Sequence, residues 1–224
     1  MLKIGLTGGL ASGKSVVGGM FAELGAHVIQ SDAVAHSLMQ PGQAVYAEVV
    51  RHFGPGILKP DGSIHRSRLA EVAFGTPGAA PPRVPELNEI VHPAVIAYEN
   101  EWMESIRPQD ANAIAIVEAA LILEAKAAGR FDRLIVVTCR PEQRVERFAR
   151  RLNISEEAAR AEVARRMAAQ IPDEEKIKVA DFVIDNSGSL DFSKQQVEKV
   201  FAALRKEQRL LRETGGISSR RRPG

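Results

Sequence analysis

Short apolar runs alternate along the chain with longer stretches of helical spacing. The first run, residues 2–6, ends in a glycine turn, and residues 16–24 follow with apolar side chains on one side of a helix. Gly25 then stands where a helix C-cap is expected. Four later apolar runs lack polar alternation: residues 26–29, 114–117, 133–138 and 182–184. Strands of this kind, separated by helices, predict a parallel sheet covered on both faces.

Two longer segments lie between these strands. Residues 33–107 are mostly helical in pattern, with several turns and a proline- and alanine-rich loop at 76–85, and we expect them to form an inserted substrate-binding subdomain. Residues 141–170 contain two helical segments that are dense in arginine. Ser155, followed by Glu156 and Glu157, is a good start for the second of these helices.

Composition is that of an ordinary globular protein, with 45% hydrophobic and 26% charged residues. The net charge of +2 is too small to indicate binding to nucleic acid or to an acidic membrane surface. Basic residues concentrate near the C-terminus, and residues 206–224 are predicted to be a disordered tail. No apolar run approaches the ~20 residues of a membrane-spanning helix, and the single cysteine, Cys139, fits a reducing compartment. We therefore expect a cytoplasmic protein, whose oligomeric state the sequence does not give.

Residues 8–15 match the pattern G-x-x-x-x-G-K-S without a gap. Glycines in such a loop let backbone N–H groups turn towards phosphate oxygens, and the following helix points its positive end at the same anion. Lys14 can then reach the β- and γ-phosphates, while the Ser15 hydroxyl can ligate Mg²⁺. Because the pattern sits between a predicted strand and a predicted helix, it predicts a phosphoryl-transfer enzyme that binds a nucleoside triphosphate.

Other polar residues have more than one interpretation. Asp32 lies just past the second strand, where it could accept a proton from an attacking hydroxyl or cap a helix beginning at Ala33. Arg144, Arg147 and Arg151 share one helix face. They could neutralise charge on phosphates, or they could form a solvated face paired with nearby glutamates. The sequence favours the solvated face for most of the arginines in this region.

His92 precedes Pro93, and it could bind a substrate phosphate or cap a helix that starts at the proline. The sequence by itself favours capping. The other histidines form no metal-ligand spacing with each other or with Cys139, which is expected to be a packed thiol.

Seven segments in order carry a resemblance to one family: residues 4–15 (IGLTGGLASGKS), 28–35 (VIQSDAVA), 61–69 (DGSIHRSRL), 90–95 (IVHPAV), 120–124 (ALILE), 166–170 (RMAAQ) and 176–186 (KIKVADFVIDN). From residue 2 to about residue 205, the chain resembles the dephospho-CoA kinase family, which carries out the last step of coenzyme A biosynthesis. The phosphate loop alone is shared by many P-loop kinases, whereas the closing K-x-x-x-A-D-x-x-I-D-N segment is the most specific.

The resemblance implies one α/β P-loop kinase domain over residues 1–205. It has a three-layer core of about five parallel strands (residues 1–32, 108–140 and 171–205), a helical substrate subdomain (33–107) and a helical lid (141–170). It also implies ATP and Mg²⁺ as cofactors and dephospho-CoA as substrate. Closure of the lid over ATP would exclude water.

Residue roles follow from the same resemblance. The ATP site would comprise Gly8, Ala11, Ser12, Gly13, Lys14, Ser15, Val16 and Asn186, the last near the adenine. The catalytic residues would be Asp32, Lys14, Arg147 and Arg151. Asp32 would activate the ribose 3′-hydroxyl of the substrate, His92 would lie in the substrate subdomain, and Ser15 would bind the metal ion.

At three places the chain departs from the family's usual residues. Gln30-Ser31-Asp32 replaces Asp-Ala-Asp, residues 118–122 (EAALI) replace Asp-x-Pro-Leu-Leu, and Arg144 replaces glutamine. A carboxylate remains at positions 32 and 118. On the residues alone, two other functions stay open: a kinase acting on a nucleoside or nucleoside monophosphate, and a nucleotide-dependent switch. A guanine-reading Asn-Lys-x-Asp segment is absent from the sequence.

Overall fold

The computed structural model describes residues 1–75 and 83–213. Within these ranges the strands are β1 (Leu2–Thr7), β2 (His27–Gln30), β3 (Ile114–Glu118), β4 (Arg133–Thr138) and β5 (Phe182–Asp185). The α-helices are α1 (Lys14–Glu23), α2 (Ser31–Leu38), α3 (Ala44–Phe53), α4 (Arg66–Phe74), α5 (Val84–Ile106), α6 (Pro141–Leu152), α7 (Glu156–Ala168), α8 (Asp173–Val179) and α9 (Leu190–Glu213). Short 3₁₀ turns occur at Pro55–Ile57 and Ala128–Arg130.

The described strands form one parallel sheet in the order β2-β3-β1-β4-β5. Strand β1 lies at the centre, where Ile4 is in register with Ile116 of β3 and with Arg133 of β4. Since all strands run in one direction, their carboxyl ends meet at the same edge, which is where α/β sheets bind ligands. The five predicted strands and their parallel arrangement are confirmed.

Both faces of the sheet are covered. On one face Leu2, Ile4 and Leu6 of β1 are buried together with apolar side chains of α1 and α9. On the opposite face, a Cβ atom added to Gly5 would lie 2.8 Å from Phe131 and 3.1 Å from Ile122. The sheet therefore has packed layers on either side, which explains why its strands read as continuous apolar runs.

Gly25 ends α1 as the sequence predicts. Its φ of 92° lies in the left-handed region that favours glycine. The Gly25 N–H donates to the Ala22 carbonyl at 2.9 Å, and the Ala26 N–H donates to the Phe21 carbonyl at 3.0 Å. This pair of bonds is a Schellman motif, which turns the chain directly into β2.

The chain divides into two compact units. One comprises residues 1–30 and those from 105 onward, and the other comprises residues 31–104. The second unit is helical and contains α2 to α4 and most of α5, with a buried core that includes Val49, Phe53, Ile57, Leu69 and Val95.

Helix α5 corrects two predictions from the proline pattern. It runs through Pro93 without ending, so His92 lies inside a helix of 23 residues and does not cap one. It also begins at Val84, inside the predicted loop 76–85, and the rest of that loop, 76–82, lies outside the described residues. Pro85 is tolerated because the first helical turn needs no N–H donor, and the lost bond at Pro93 is offset by burial of Val91, Val95 and Met103.

Helix α9 corrects the predicted tail boundary. Residues 206–213 are helical, since α9 continues to Glu213. Glu207 forms an ion pair with Arg133 of β4, and the buried Gln208 side chain donates to the Ala113 carbonyl at 3.2 Å. The charge-rich composition of this stretch therefore belongs to an anchored helix. Residues 214–224 of the predicted tail lie outside the described residues. In the described part of the chain, no helix has the length and apolarity needed to cross a bilayer.

Candidate active site

Residues 8–15 link β1 to α1, and two of their glycines are required by the surrounding atoms. Gly8 has φ 154°, and a Cβ there would lie 2.2 Å from the Val137 carbonyl oxygen. Gly13 has φ 93°, and a Cβ there would lie 2.0 Å from Asn186 Nδ2. Neither position can accept a side chain without moving backbone or a buried amide. The predicted arrangement of strand, glycine loop and helix is confirmed.

The loop combines two features that favour an anion. Helix α1 begins at Lys14, so the last two loop residues form its start, and its positive end and first N–H groups belong to the loop. The Lys14 ammonium reaches back to the first loop residues, where Nζ donates to the carbonyls of Gly8 at 3.0 Å and Gly9 at 3.2 Å. The positive end of the helix and the Lys14 ammonium therefore both favour negative charge at the same short segment. A chain of phosphates carries its charge in this way.

Ser15 is paired with a carboxylate that the predicted site did not include. Its Oγ donates to Glu118 Oε1 at 2.7 Å, and Glu118 is only 7% exposed at the end of β3. Gly18 leaves room for this carboxylate, since a Cβ there would lie 3.2 Å from Glu118 Oε2. Hydroxyl and carboxylate oxygens are the protein ligands that Mg²⁺ prefers, so these residues fit a divalent cation that also binds phosphates. In the sequence, the one sign of this role is that Glu118 is a charged residue at the end of an otherwise apolar strand.

Three residues from later in the sequence, Arg147, Asn186 and Ser193, hold the loop at Ser12. The Ser12 carbonyl accepts hydrogen bonds from Asn186 Nδ2 at 2.9 Å and from the Arg147 guanidinium at 3.2 Å. Arg147 also donates to the Asn186 carbonyl at 2.8 Å, and Ser193 Oγ donates to Asn186 Oδ1 at 2.8 Å. We call Ser12, Arg147, Asn186 and Ser193 the loop clasp. Both ends of the Asn186 amide are engaged within it, and Asn186 is 4% exposed, so its side chain shapes the loop.

A second support comes from Arg144, which the sequence presented only as one member of a helix face. Its guanidinium donates to the Leu10 carbonyl at 2.8 Å and forms an ion pair with Asp173, the first residue of α8. A Cβ on Gly9 would lie 2.3 Å from an Arg144 nitrogen. Arg144 is buried, whereas the alternative of a solvated arginine face required it to be exposed.

Helices α6 and α7 form the segment that the sequence predicted as a lid. Their shared core consists of Val145, Phe148, Ala149, Ala159 and Val163, and the loop residues Leu10 and Ala11 pack against it. The predicted cap of α7 is confirmed, because the Ala158 N–H donates to Ser155 Oγ at 3.2 Å. The two helices thus contact the phosphate loop through apolar side chains as well as through arginines.

The remaining arginines of this segment lie on its surface. Arg151 is exposed, with its guanidinium 5.4 Å from the centre of the Phe148 ring. Arg150 pairs with Glu146 on the solvent side. Arg165 and Arg166 both pair with Glu162, and the hydrogen bond from Arg165 is the main reason that the pKa of Glu162 falls to about 2. The predicted solvated face paired with glutamates is therefore correct for Arg150, Arg165 and Arg166 and wrong for Arg144.

Asp32 and His92 both belong to the second compact unit. Helix α2 begins at Ser31, so Asp32 is exposed within the first turn and is not the N-cap that the alternative interpretation required. Its neighbour Ser31 donates through Oγ to Glu99 Oε1 at 2.5 Å. Glu99 is buried and lies on α5, seven residues after His92. Burial lowers the pKa of His92, with a smaller opposing effect from Glu99, and this favours the neutral form of the imidazole.

A family model described as dephospho-CoA kinase matches residues 2–191. The chain belongs to this family. A dephospho-CoA kinase from Aquifex aeolicus is 40% identical over 207 residues, covering 92% of this chain and all of the relative. A solved protein from Thermus thermophilus is 32% identical with a TM-score of 0.71, and dephospho-CoA kinase from Campylobacter jejuni is 26% identical with a TM-score of 0.57. Each alignment covers 91% of this chain and 97% of the solved chain. The predicted P-loop kinase fold is confirmed, and the chain is a kinase.

Within this family assignment, the closing segment 176–186 proves to be structural support for the loop. Lys176 is fully buried and forms an ion pair with Glu124 at 2.8 Å. Asp181 accepts a hydrogen bond from the Leu134 N–H at 2.7 Å, which ties the start of β5 to β4. Asn186 completes the segment in the loop clasp. The most specific segment of the resemblance therefore ends in a residue that holds the phosphate loop.

Proposed function

We propose that the chain transfers the γ-phosphoryl group of ATP to the ribose 3′-hydroxyl of dephospho-CoA, giving ADP and coenzyme A. The observation that carries this proposal is the phosphate loop, with Lys14 bound across it and Ser15 paired with Glu118, in a member of the dephospho-CoA kinase family. The reaction forms a bond from the ribose O3′ to the γ-phosphorus. It breaks the bond between that phosphorus and the oxygen shared with the β-phosphate.

Positioning and charge neutralisation are the main tasks of the protein in such a transfer. The loop N–H groups and the start of α1 bind phosphate oxygens, and Lys14 exchanges its carbonyl partners for the β- and γ-phosphates. Arg147 is already held at the loop by Ser12 and Asn186, and it lies close enough to neutralise charge there. Arg151, one helical turn further along α6, supplies charge from the lid surface. Asn186 would lie near the adenine, while its side chain and its carbonyl hold the loop clasp together.

Ser15 and Glu118 would hold Mg²⁺, which when bound neutralises charge on the phosphates. Asp32 would accept the proton that leaves the 3′-hydroxyl as the new bond forms. Its position supports this role: it is exposed in the first turn of α2, two residues beyond the carboxyl end of β2. His92 would contribute to acceptor binding through a ring nitrogen, which can donate or accept a hydrogen bond.

The test of the reaction is ADP release from ATP and Mg²⁺, with and without dephospho-CoA, with the product identified by mass. We expect ADP only when the acceptor is present, together with a product one phosphate heavier. Turnover with a nucleoside or nucleoside monophosphate, and none with dephospho-CoA, would keep the P-loop kinase but discard this acceptor. ADP release that needs no acceptor would instead indicate a nucleotide-dependent switch.

Two substitutions test the residue roles. Lys14→Ala removes the phosphate-binding ammonium, and we expect kcat to fall at least ~100-fold. Asp32→Asn keeps the shape but removes the base, so kcat should fall roughly 100-fold or more while the KM for ATP stays near the wild-type value. Asp191→Asn, at an exposed carboxylate of α9, is the matched control and should leave both constants unchanged. Near-normal turnover by the Asp32 variant would rule out its role as base.

A further inference from the structure

A rigid turn in the second compact unit accounts for one of the family segments, residues 61–69, that the phosphate loop does not explain. Leu58 and Ile64 form an antiparallel bridge, and the Lys59 N–H donates to the Ser63 carbonyl at 2.8 Å. Tyr46 Oη donates to the Gly62 carbonyl at 2.5 Å. Asp61 accepts from the Ser63 N–H at 2.9 Å, and these bonds with Ser63 lower the pKa of Asp61. The turn is therefore held in one shape by α3 and by its own side chains.

The turn and the end of α2 enclose a surface cavity of about 240 Å³. Its lining includes two basic residues, Lys59 and Arg66, and three apolar residues, Met39, Ile64 and Leu69. The remaining lining residues are polar: His36, Gln40 and Ser63. Within residues 1–75 and 83–213, neither Lys59 nor Arg66 forms an ion pair, although both are exposed at the rim. Two exposed cations and three apolar side chains in one lining suit a ligand that joins an anionic group to an uncharged chain. Asp61 is a charged neighbour of Lys59 and lies outside this lining.

Helix α2 connects this cavity to the proposed base. Asp32 stands in its first turn, and His36, one turn further along, already lines the cavity. The rise of an α-helix places His36 roughly 6 Å beyond Asp32 along the axis, with Met39 and Gln40 following directly. In dephospho-CoA a single ribose separates the 3′-hydroxyl from the 5′-diphosphate, and the pantetheine chain continues from the diphosphate. The lining of the cavity therefore begins one helical turn beyond the proposed base, on the same helix.

We propose that this cavity binds the diphosphate of the acceptor and the start of its pantetheine chain. Lys59 and Arg66 donate to the diphosphate oxygens, and Met39, Ile64 and Leu69 contact the apolar part of pantetheine. This inference rests on the proposed function for the identity of the acceptor. It adds a source of specificity, because a nucleoside lacks both groups and would leave the two cations without a partner.

The test compares wild type with Lys59→Ala, Arg66→Ala and the double variant. Each single substitution removes a charge-assisted hydrogen bond, so the KM for dephospho-CoA should rise roughly tenfold, and more in the double variant. The KM for ATP should not change. Arg51→Ala is the matched control: Arg51 is an exposed cation of the same unit that pairs with Glu48 outside the cavity, and its removal should change neither constant.

Calorimetric titration of dephospho-CoA into each protein without ATP gives a second readout that does not need turnover. Weaker binding by the double variant, with an unchanged unfolding temperature, supports the cavity. Equal affinity and equal KM in the double variant would overturn the inference while leaving the proposed reaction intact. If wild type fails to phosphorylate dephospho-CoA, the proposed function fails, and titration still decides whether the cavity binds this ligand. No binding by wild type would reject both.

Discussion

Arg144 and Arg150 are on the same helix but face different surroundings. Arg144 is buried, bonds the Leu10 carbonyl and pairs with Asp173. Arg150 pairs with Glu146 in solvent, where both side chains are more than half exposed. The first pair fixes part of the phosphate loop, whereas the second contributes little because water screens it and its long side chains lose entropy.

Replacing each arginine with glutamine tests this contrast. Arg144→Gln leaves the Asp173 carboxylate without its buried partner, so the free energy of unfolding should fall by about 3 kcal/mol. Arg150→Gln should lower it by no more than about 0.5 kcal/mol. Urea unfolding measures both. Because Arg144 also bonds the loop, its variant should in addition raise the KM for ATP, and a loss of stability with an unchanged KM would limit Arg144 to packing.

Glycines of the loop and of α1 make a second pair of residue-level predictions. Gly8→Ala places a methyl group 2.2 Å from a backbone oxygen, so we expect loss of nucleotide binding and a drop of at least ~2 kcal/mol in stability. Gly19→Ala, inside α1, meets no atom within 4 Å and should stabilise the protein by about 0.5–1 kcal/mol. Binding of a fluorescent ATP analogue measures the loss of nucleotide affinity in the Gly8 variant. Thermal unfolding measures the change in stability of both variants. Tight analogue binding by the Gly8 variant would contradict the requirement for glycine at this position.

At the scale of elements, α7 carries a local charge network. Glu162 accepts hydrogen bonds from Arg165 and Arg166, which lower its pKa from 4.5 to about 2. Because the folded pKa is depressed, the stabilising contribution is present above pH 4.5 and is lost as the pH falls towards 2. Carboxyl NMR titration of Glu162 should give a midpoint near 2. The Arg165→Gln variant should raise that midpoint, and an unchanged midpoint would show that the pairing does not form in solution.

Elements were predictable from sequence wherever local pattern decides the conformation. Apolar runs located all five strands, because strands buried on two faces need continuous apolar residues. For β4, the predicted bounds of 133 and 138 are those of the structure. Helix α5 and the end of α9 were misjudged because Pro93 and the charged residues after Arg205 carry local signals that tertiary packing overrides. The same division applies to the site. Lys14 and Ser15 belong to a contiguous motif, whereas Glu118 and Arg144 reach the loop from distant segments. Ser193 acts on the loop only through Asn186.

At the scale of the whole molecule, α9 joins the last described residues to the central sheet. Glu207 pairs with Arg133 of β4, Gln208 bonds the Ala113 carbonyl, and Leu211 packs against the main core. A chain ending after residue 205 loses these contacts, and a chain ending after residue 213 keeps them. The shorter chain should be less stable than the longer one by about 2–4 kcal/mol.

Urea unfolding of the two truncated proteins measures this difference directly. The longer truncation product is the matched control, since both lack residues 214–224. Equal stability of the two proteins would show that residues 206–213 are dispensable, as the sequence first indicated. Activity should follow stability, with the shorter protein losing turnover at a lower temperature.

The loop clasp also sets an order of events during synthesis. Ser12 leaves the ribosome early, but its partner Asn186 is 174 residues further along the chain, and Ser193 comes later still. Contacts so distant in sequence form only after a large loop has closed, and they delay folding. A nascent kinase therefore carries its glycine motif for most of translation without the bonds that shape it. The loop therefore gains its final shape only after the C-terminal segment has left the ribosome and folded.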